Sequence, residues 1–238
     1  MDSTGYITLS KQTALRRQMD IIAHNLANAS TASYRGETPM FAEQIVKVGD
    51  QRPLSFVRDI GIVRDMKEGP LERTGNTFDL ALHGDGYFMV ETAAGQRFTR
   101  NGHFILNAEG EMVTSSGNKV MDTDQRSIRL GDARGHITIS ADGTISSGDG
   151  IIARLKVVSF AKPADLQREA DSLYVTDQRP QEPRNVSIMQ GMLERSNVRP
   201  ILEMTRMIEV HRSYQANSKL IETDHEMQRK TIEQVIRA

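Results

Sequence analysis

The sequence predicts an α+β fold in which long N- and C-terminal helices pair as a coiled-coil-like layer, with a central, mainly β domain between them. Two observations carry this prediction. Glycine and proline, the strongest helix breakers, are absent between Gly5 and Gly36 and again from Ile201 to Ala238, while all seven prolines and all 18 glycines fall elsewhere. The middle instead holds short β-prone runs separated by Asp-Gly and Glu-Gly, dipeptides whose glycine accepts the positive φ of a tight hairpin turn. The resulting division is an N-terminal helix segment (1–36), an extended connector or hairpin (37–70), a central β domain (71–185) and a C-terminal strand or linker with its helix (186–238).

The first helix is expected from about Tyr6 to Asn28, roughly 35 Å long. Leu15, Met19, Ile22 and Leu26 are spaced four, three and four apart and share one face. Arg16, Arg17 and Asp20 lie elsewhere on the wheel. The run Asn28-Ala-Ser-Thr-Ala-Ser33 ends the helix, because short polar side chains bond their own backbone in competition with it. Residues 37–70 follow, with prolines at 39, 53 and 70 and short apolar pieces such as Phe41, Ile45-Val46 and Ile60-Gly-Ile-Val63.

In the centre, Phe88-Met-Val90 follows Gly84-Asp-Gly-Tyr87, and Ile105-Leu106 and Met112-Val113 flank Asn107-Ala-Glu-Gly110. The pattern Phe104-x-Leu106-x-Ala108-Glu-Gly110 recurs as Ile137-x-Ile139-x-Ala141-Asp-Gly143, an offset of 33 residues. Two matched hairpins in one β domain is the reading, since two copies do not make a solenoid. Gln178–Arg184, with two prolines, reads as an extended link.

The last helix is expected from Pro200, acceptable in a first turn, to about Arg237, roughly 55 Å. Met204, Met207, Tyr214, Ile221, Ile232 and Val235 fall on one stripe at three-, four- and seven-residue steps. His211, Ser218, His225 and Gln228 occupy the remaining slots. Such polar interruptions suit a helix packed among several partners better than a simple two-stranded coiled coil.

Composition excludes several functions. Lys and Arg total 30 against 31 Asp and Glu, so no global field draws nucleic acid. There is no cysteine, which removes disulfides, thiolate nucleophiles and Cys-bound zinc. Met1–Leu9 lacks a basic region followed by an apolar stretch, so no cleavable secretory signal is expected. Apolar runs stop far short of the ~20 residues that span a bilayer, and no membrane insertion is expected. His225-Glu226 lacks the second histidine of a zincin helix, and Asp122-Thr-Asp124 lacks the glycine and terminal glutamate of a calcium loop. The other histidines are scattered, Gly84-Asp-Gly86 is too short to cradle phosphate, and no Gly-x-Ser-x-Gly occurs. No catalytic, cofactor-binding or metal residue is nominated. The chain is expected to be no enzyme, to use no cofactor and to take no small-molecule substrate.

Three stretches carry a resemblance. Ala14–Arg35 closes its helix with Asn25 and Asn28, then Thr31, Tyr34 and Arg35. Leu193-Glu-Arg-Ser-Asn-Val198 leads to Glu203-Met-x-x-Met-Ile208 and Arg212-x-Tyr-x-Ala-Asn217. Between them lie Thr74-Gly-Asn76, Asp79-Leu-Ala81, Gly84-Asp-Gly-Tyr-Phe88 and Phe98-Thr-Arg100. Together these resemble the flagellar basal-body rod and hook proteins over nearly the whole chain. Departures are His24, where a second Asn is usual, Ser33 where Gly is usual, His211 for Gln, and Arg199-Pro200 for an acidic or Asn-Pro pair. The opening Tyr6-Ile-x-Leu-Ser10 and the length are similar to a proximal-rod member.

The resemblance implies a structural subunit of the periplasmic rod, exported through the flagellum's own type III channel, that polymerises through its terminal helices to transmit torque. Its partners would be other rod proteins and copies of itself. The assembly interface is expected at Leu15, Met19, Ile22, Asn25, Leu26 and Asn28 of the first helix. On the last helix it is expected at Met204, Met207, Ile208, Tyr214, Asn217 and Ile221. Since only the other terminal helix is long enough to cover either apolar face, the termini are expected to be mostly disordered in the free monomer and to fold when packed in a tube. The alternatives are a distal-rod or hook-type sibling and a secreted β-domain binding protein.

Overall fold

The computed structural model describes residues 2–46, 54–131 and 136–237. It is an α+β chain with a mainly β central region and one helix toward each end. It divides into two compact units. A helical unit comprises Met1–Ala29, Gly36–Asp65 and Val198–Ala238, and a β unit comprises Ser30–Arg35 and Met66–Asn197.

The helical unit contains α1 (Asp2–Ala27), β1 (Glu37–Val46), β2 (Leu54–Arg64) and α2 (Pro200–Arg237). α1 starts four residues before the expected Tyr6 and carries Gly5 within it. A Cβ at Gly5 would meet nothing within 4 Å, so its only cost is intrinsic, about 1 kcal/mol. At the other end Asn28 Nδ2 donates to the His24 carbonyl at 2.9 Å, satisfying one of the last helical oxygens. β1 and β2 pair antiparallel from Glu37↔Arg64 to Val46↔Leu54, with Ile60 as the extra residue of a bulge opposite Met40/Phe41. Residues 47–53, including Pro53, lie outside the described residues, as do the side chains of Ile232 and Val235.

In the β unit the chain enters through β3 (Leu71–Arg73) and β4 (Leu80–His83). Two hairpins follow, β5 (Tyr87–Thr92) with β6 (Gly95–Thr99) and β7 (Phe104–Leu106) with β8 (Met112–Thr114), and β9 (Lys119–Val120) lies between β5 and β8. A three-stranded sheet holds β10 (Thr138–Ile139), β11 (Thr144–Ser147) and β12 (Gly150–Arg154). β13 (Val157–Val158) pairs with β5, and β14 (Gln167–Arg168) and β15 (Leu173–Val175) extend the large sheet beside β6. The chain leaves through β16 (Ser187–Gln190) and β17 (Met192–Glu194), which pair with β4 and β3. Entry and exit strands are thus zipped together.

β5 organises the core because both its faces are covered. Phe88 and Val90 join a cluster with Leu80, Leu82, Phe104, Met112 and Ile145. Tyr87 and Met89, on the opposite face by strand alternation, join Phe98, Phe160, Leu166 and Tyr174. Edge-to-face rings at 5.1 Å (Phe88–Phe104) and 4.8 Å (Phe98–Phe160) fix each cluster. Gly102 is a required glycine, since a Cβ there would sit 1.7 Å from the Leu80 carbonyl oxygen.

Candidate assembly interface

Within the helical unit, α1 and α2 run antiparallel and are fastened by polar side chains. Asn217 Nδ2 donates to the Thr8 carbonyl at 2.9 Å, and Gln12 Nε2 donates to Ser218 Oγ at 3.1 Å. Nearer the other end, Asn25 makes a reciprocal pair with the Glu37 backbone: Nδ2 donates to its carbonyl at 2.7 Å, and Oδ1 accepts from its amide at 2.9 Å. Asn25 Nδ2 also reaches Glu203 Oε2 at 3.3 Å, and Arg206 donates to Glu203 Oε1 at 2.6 Å. Asn25, Glu203 and Asn217 are all buried. A buried amide or carboxylate holds only where its partners are placed, so these residues set the helix register.

The residues nominated from sequence are distributed unevenly. Ile22, Asn25 and Asn217 are buried; Leu15, Met19, Leu26, Asn28, Met207, Tyr214 and Ile221 are partly buried; Met204 and Ile208 are exposed. Much of the nominated set therefore lies toward the interior of the helical unit. The exposed apolar groups are largely others, which a single-stripe reading misses. They are Tyr6 and Leu9 on α1, Met40, Ile45, Val57, Ile60, Ile62 and Val63 on the hairpin, and Ile201, Leu202, Met204, Ile208, Leu220 and Met227 on α2.

Among the described residues the helical unit thus exposes fourteen large apolar side chains and buries three: Ile21, Ile22 and Val210. In the β unit the balance reverses, with only Ile105 and Ile151 exposed among its described residues. Tyr6, Leu9, Ala14, Phe56 and Val57 line an open groove of about 470 Å³ between α1 and β2, with an Arg17–Asp59 ion pair of 3.5 Å at its rim. α2 shows a second run, Ala216, Leu220, Thr223 and Met227, exposed at four-, three- and four-residue steps. It lies roughly a third of a turn around the helix from the stripe facing α1.

The β unit carries a different kind of order. Arg100 is buried and all five of its N–H donors are used. Nε donates to Glu194, Nη1 to the carbonyls of Gly84 (2.8 Å) and Gly86 (3.1 Å), and Nη2 to Glu68 (2.9 Å) and the Leu82 carbonyl (3.2 Å). Glu194 in turn accepts from the Gly69 amide at 3.0 Å. This joins the entry strands, the Gly84–Gly86 turn and the exit strand at one point. Burial alone would raise the Glu68 carboxyl, but the Gly84 amide, Arg100 and His83 outweigh it and hold the group below its usual range. Glu111 is held down to about 2 by hydrogen bonds from Lys119 first, then Ser127 and Asn107. Ser33, the position where the resemblance expects glycine, has φ 56°, a left-handed conformation. Its hydroxyl donates to the Arg100 carbonyl at 2.9 Å. Among the described residues no group of three potential metal ligands assembles, and no helix is long and apolar enough to cross a membrane.

Comparison with known proteins follows the same three-part division. Residues 6–35 match the family described as flagella basal body rod protein, 81–147 the flagellar hook protein FlgE/F/G D1 domain, and 189–234 the flagellar basal body rod FlgEFG protein C-terminal family. Flagellar basal-body rod protein FlgF of Caulobacter vibrioides is 36% identical over 99% of this chain and 98% of its own length. FlgF of Mesorhizobium japonicum is 34% identical over 93% and 92%. FlgF of Salmonella typhimurium is 30% identical over 93% of each chain.

Proposed function

The chain belongs to the flagellar basal-body rod protein family as a FlgF-like structural subunit of the basal body, and from that premise we propose that its helical unit is the part that polymerises. The observation that carries this reading is the inverted apolar balance, fourteen large side chains exposed against three buried among the described residues. Scattered exposed apolar residues are ordinary, but a unit with more outside than inside has not finished its own core. Neighbouring subunits supply the rest.

In this reading α1 and α2 pair as a coiled-coil-like layer, and the second α2 run with the groove beside α1 engages adjacent subunits. Groove and run are different surfaces, so the contact is heterologous and continues as a filament rather than closing on a dimer. The partners are other rod components and further copies of the chain. The work is mechanical rather than catalytic: torque passes through many packed helices. The sequence-nominated residues act within this layer, Asn25 and Asn217 by fixing register and Met204 and Ile208 by direct contact with a neighbour.

Aspartate placed in the exposed runs tests this. Leu220→Asp and Ile62→Asp should leave the Tm of the dilute monomer within a few degrees of the unvaried chain, yet abolish motility and recovery of the protein in isolated basal bodies. Ile105→Asp and Ile151→Asp, equally exposed on the β unit, should be tolerated. Equal tolerance, or equal loss, at the two sets of positions would refute the assignment.

A further inference from the structure

Arg35 is a buried cation with one edge unused. Its residue is 3% exposed, and neither Nε nor Nη2 has a hydrogen-bond acceptor among the described residues. The remaining nitrogen, Nη1, meets only Met66 Sδ at 3.8 Å, and a thioether is a weak acceptor. The contrast with Arg100 in the same unit is complete, since that guanidinium spends all five donors on two carboxylates and three carbonyls. A guanidinium stays charged at any physiological pH, so Arg35 carries an uncompensated buried charge, an arrangement that disfavours the state holding it.

The two idle atoms are not a random pair. Nε–H and one Nη2–H lie on the same edge of the planar group and point in parallel, the fork that grips both oxygens of one carboxylate. The backbone behind this fork is anchored. The Ser33 amide donates to the Glu194 carbonyl at 2.8 Å, the Asn197 amide donates to the Tyr34 carbonyl at 3.2 Å, and the Arg168 guanidinium lies 4.3 Å over the Tyr34 ring. At the Nη1 end of the group Met66 is only partly buried, and its unbranched side chain moves aside readily.

We propose that Arg35 is a receptor for the carboxylate of an Asp or Glu side chain presented by a neighbouring subunit. The proposal rests on the rod-subunit reading above. Assembly in this scheme does more than cover apolar surface: it supplies the missing counter-charge, so a neighbour without a carboxylate at that place is rejected.

Arg35→Met and Arg35→Lys test it, each read in two ways: Tm of the dilute monomer, and recovery in isolated basal bodies beside the unvaried chain. Arg35→Met removes an unpaired buried charge while keeping much of the volume, so the monomer Tm should rise by about 2–5 °C, whereas recovery in basal bodies should fall at least tenfold. Arg35→Lys keeps the charge without the fork, so its Tm should not rise and its recovery should also fall. Met66→Ala, which removes the weak contact at Nη1 and leaves the Nε–Nη2 fork intact, should assemble normally. A lower Tm for Arg35→Met would show the guanidinium already satisfied in the free chain, by solvent or otherwise, and would overturn the proposal. A raised Tm with unchanged recovery would overturn it equally. Absence of the unvaried chain from basal bodies would remove the rod reading and this proposal together, whereas failure at Arg35 alone leaves the rod reading standing.

Discussion

Arg100 and Glu194 have side chains that are each 1% exposed, and they are 94 residues apart in sequence. Truncating one member leaves the other charge buried without its partner, so Arg100→Met should cost about 3–5 kcal/mol, measured by urea unfolding of the full chain. The same substitution at Arg35 has the opposite expected sign. Ser33 offers a finer contrast. Ser33→Gly relieves a left-handed φ worth about 1–2 kcal/mol and loses a hydrogen bond worth about 1 kcal/mol, so it should be nearly neutral. Ser33→Val loses the bond and puts a β-branched residue at φ 56°, and should cost about 2 kcal/mol or more. Glu111 gives a pH dependence. Its carboxyl sits at about 2 folded against 4.5 for an unperturbed glutamate, so the unfolded chain binds the proton first as pH falls. Its stabilising contribution is complete above about pH 4.5, is lost as pH drops toward about 2, and should vanish from the acid unfolding curve in Glu111→Gln. At this scale the sequence displayed the motif Phe98-Thr-Arg100 but not its meaning, because the acceptors at positions 68, 82, 84, 86 and 194 converge only when the exit strand returns to the entry strands.

Elements were far more legible. The absence of glycine and proline marked both helices, because each breaker costs a helix interior about 1–3 kcal/mol and none interrupts Ile201–Ala238. α1 begins four residues before the expected Tyr6, because Gly5 in its first turns costs only about 1 kcal/mol. Face assignment was harder. Periodicity isolates a dominant apolar stripe, and on α2 that stripe mixes inward Met207 and Tyr214 with outward Met204. The second run, at Leu220 and Met227, is diluted by Ala216 and Thr223 and escapes a search for large apolar residues. Asn217 ties α2 to the Thr8 carbonyl, so Asn217→Ala should destabilise the helix pair by about 1 kcal/mol. It should also speed amide hydrogen exchange at the start of α1 while leaving β5 protection unchanged.

The molecule as a whole combines a unit that has closed its core with one that has not. Stability follows buried apolar area, so the dilute chain should unfold in two steps on heating, the helical unit first, with helicity lost before the aromatic signal of Tyr87, Phe98, Phe160 and Tyr174. The pairing of β16 and β17 with β4 and β3 was beyond sequence reading, since strand partners more than a hundred residues apart leave no local pattern. The apolar imbalance, in contrast, follows from both sequence and structure: two long helices and a ribbon offer too little mutual contact to hide their own side chains. Amide hydrogen exchange of the dilute monomer beside the same chain in isolated basal bodies tests this most directly. The account predicts faster exchange along α1, α2 and the β1–β2 hairpin in the monomer than after assembly, and a β unit protected in both. Equal protection of α1 and α2 in the monomer and the rod would contradict it.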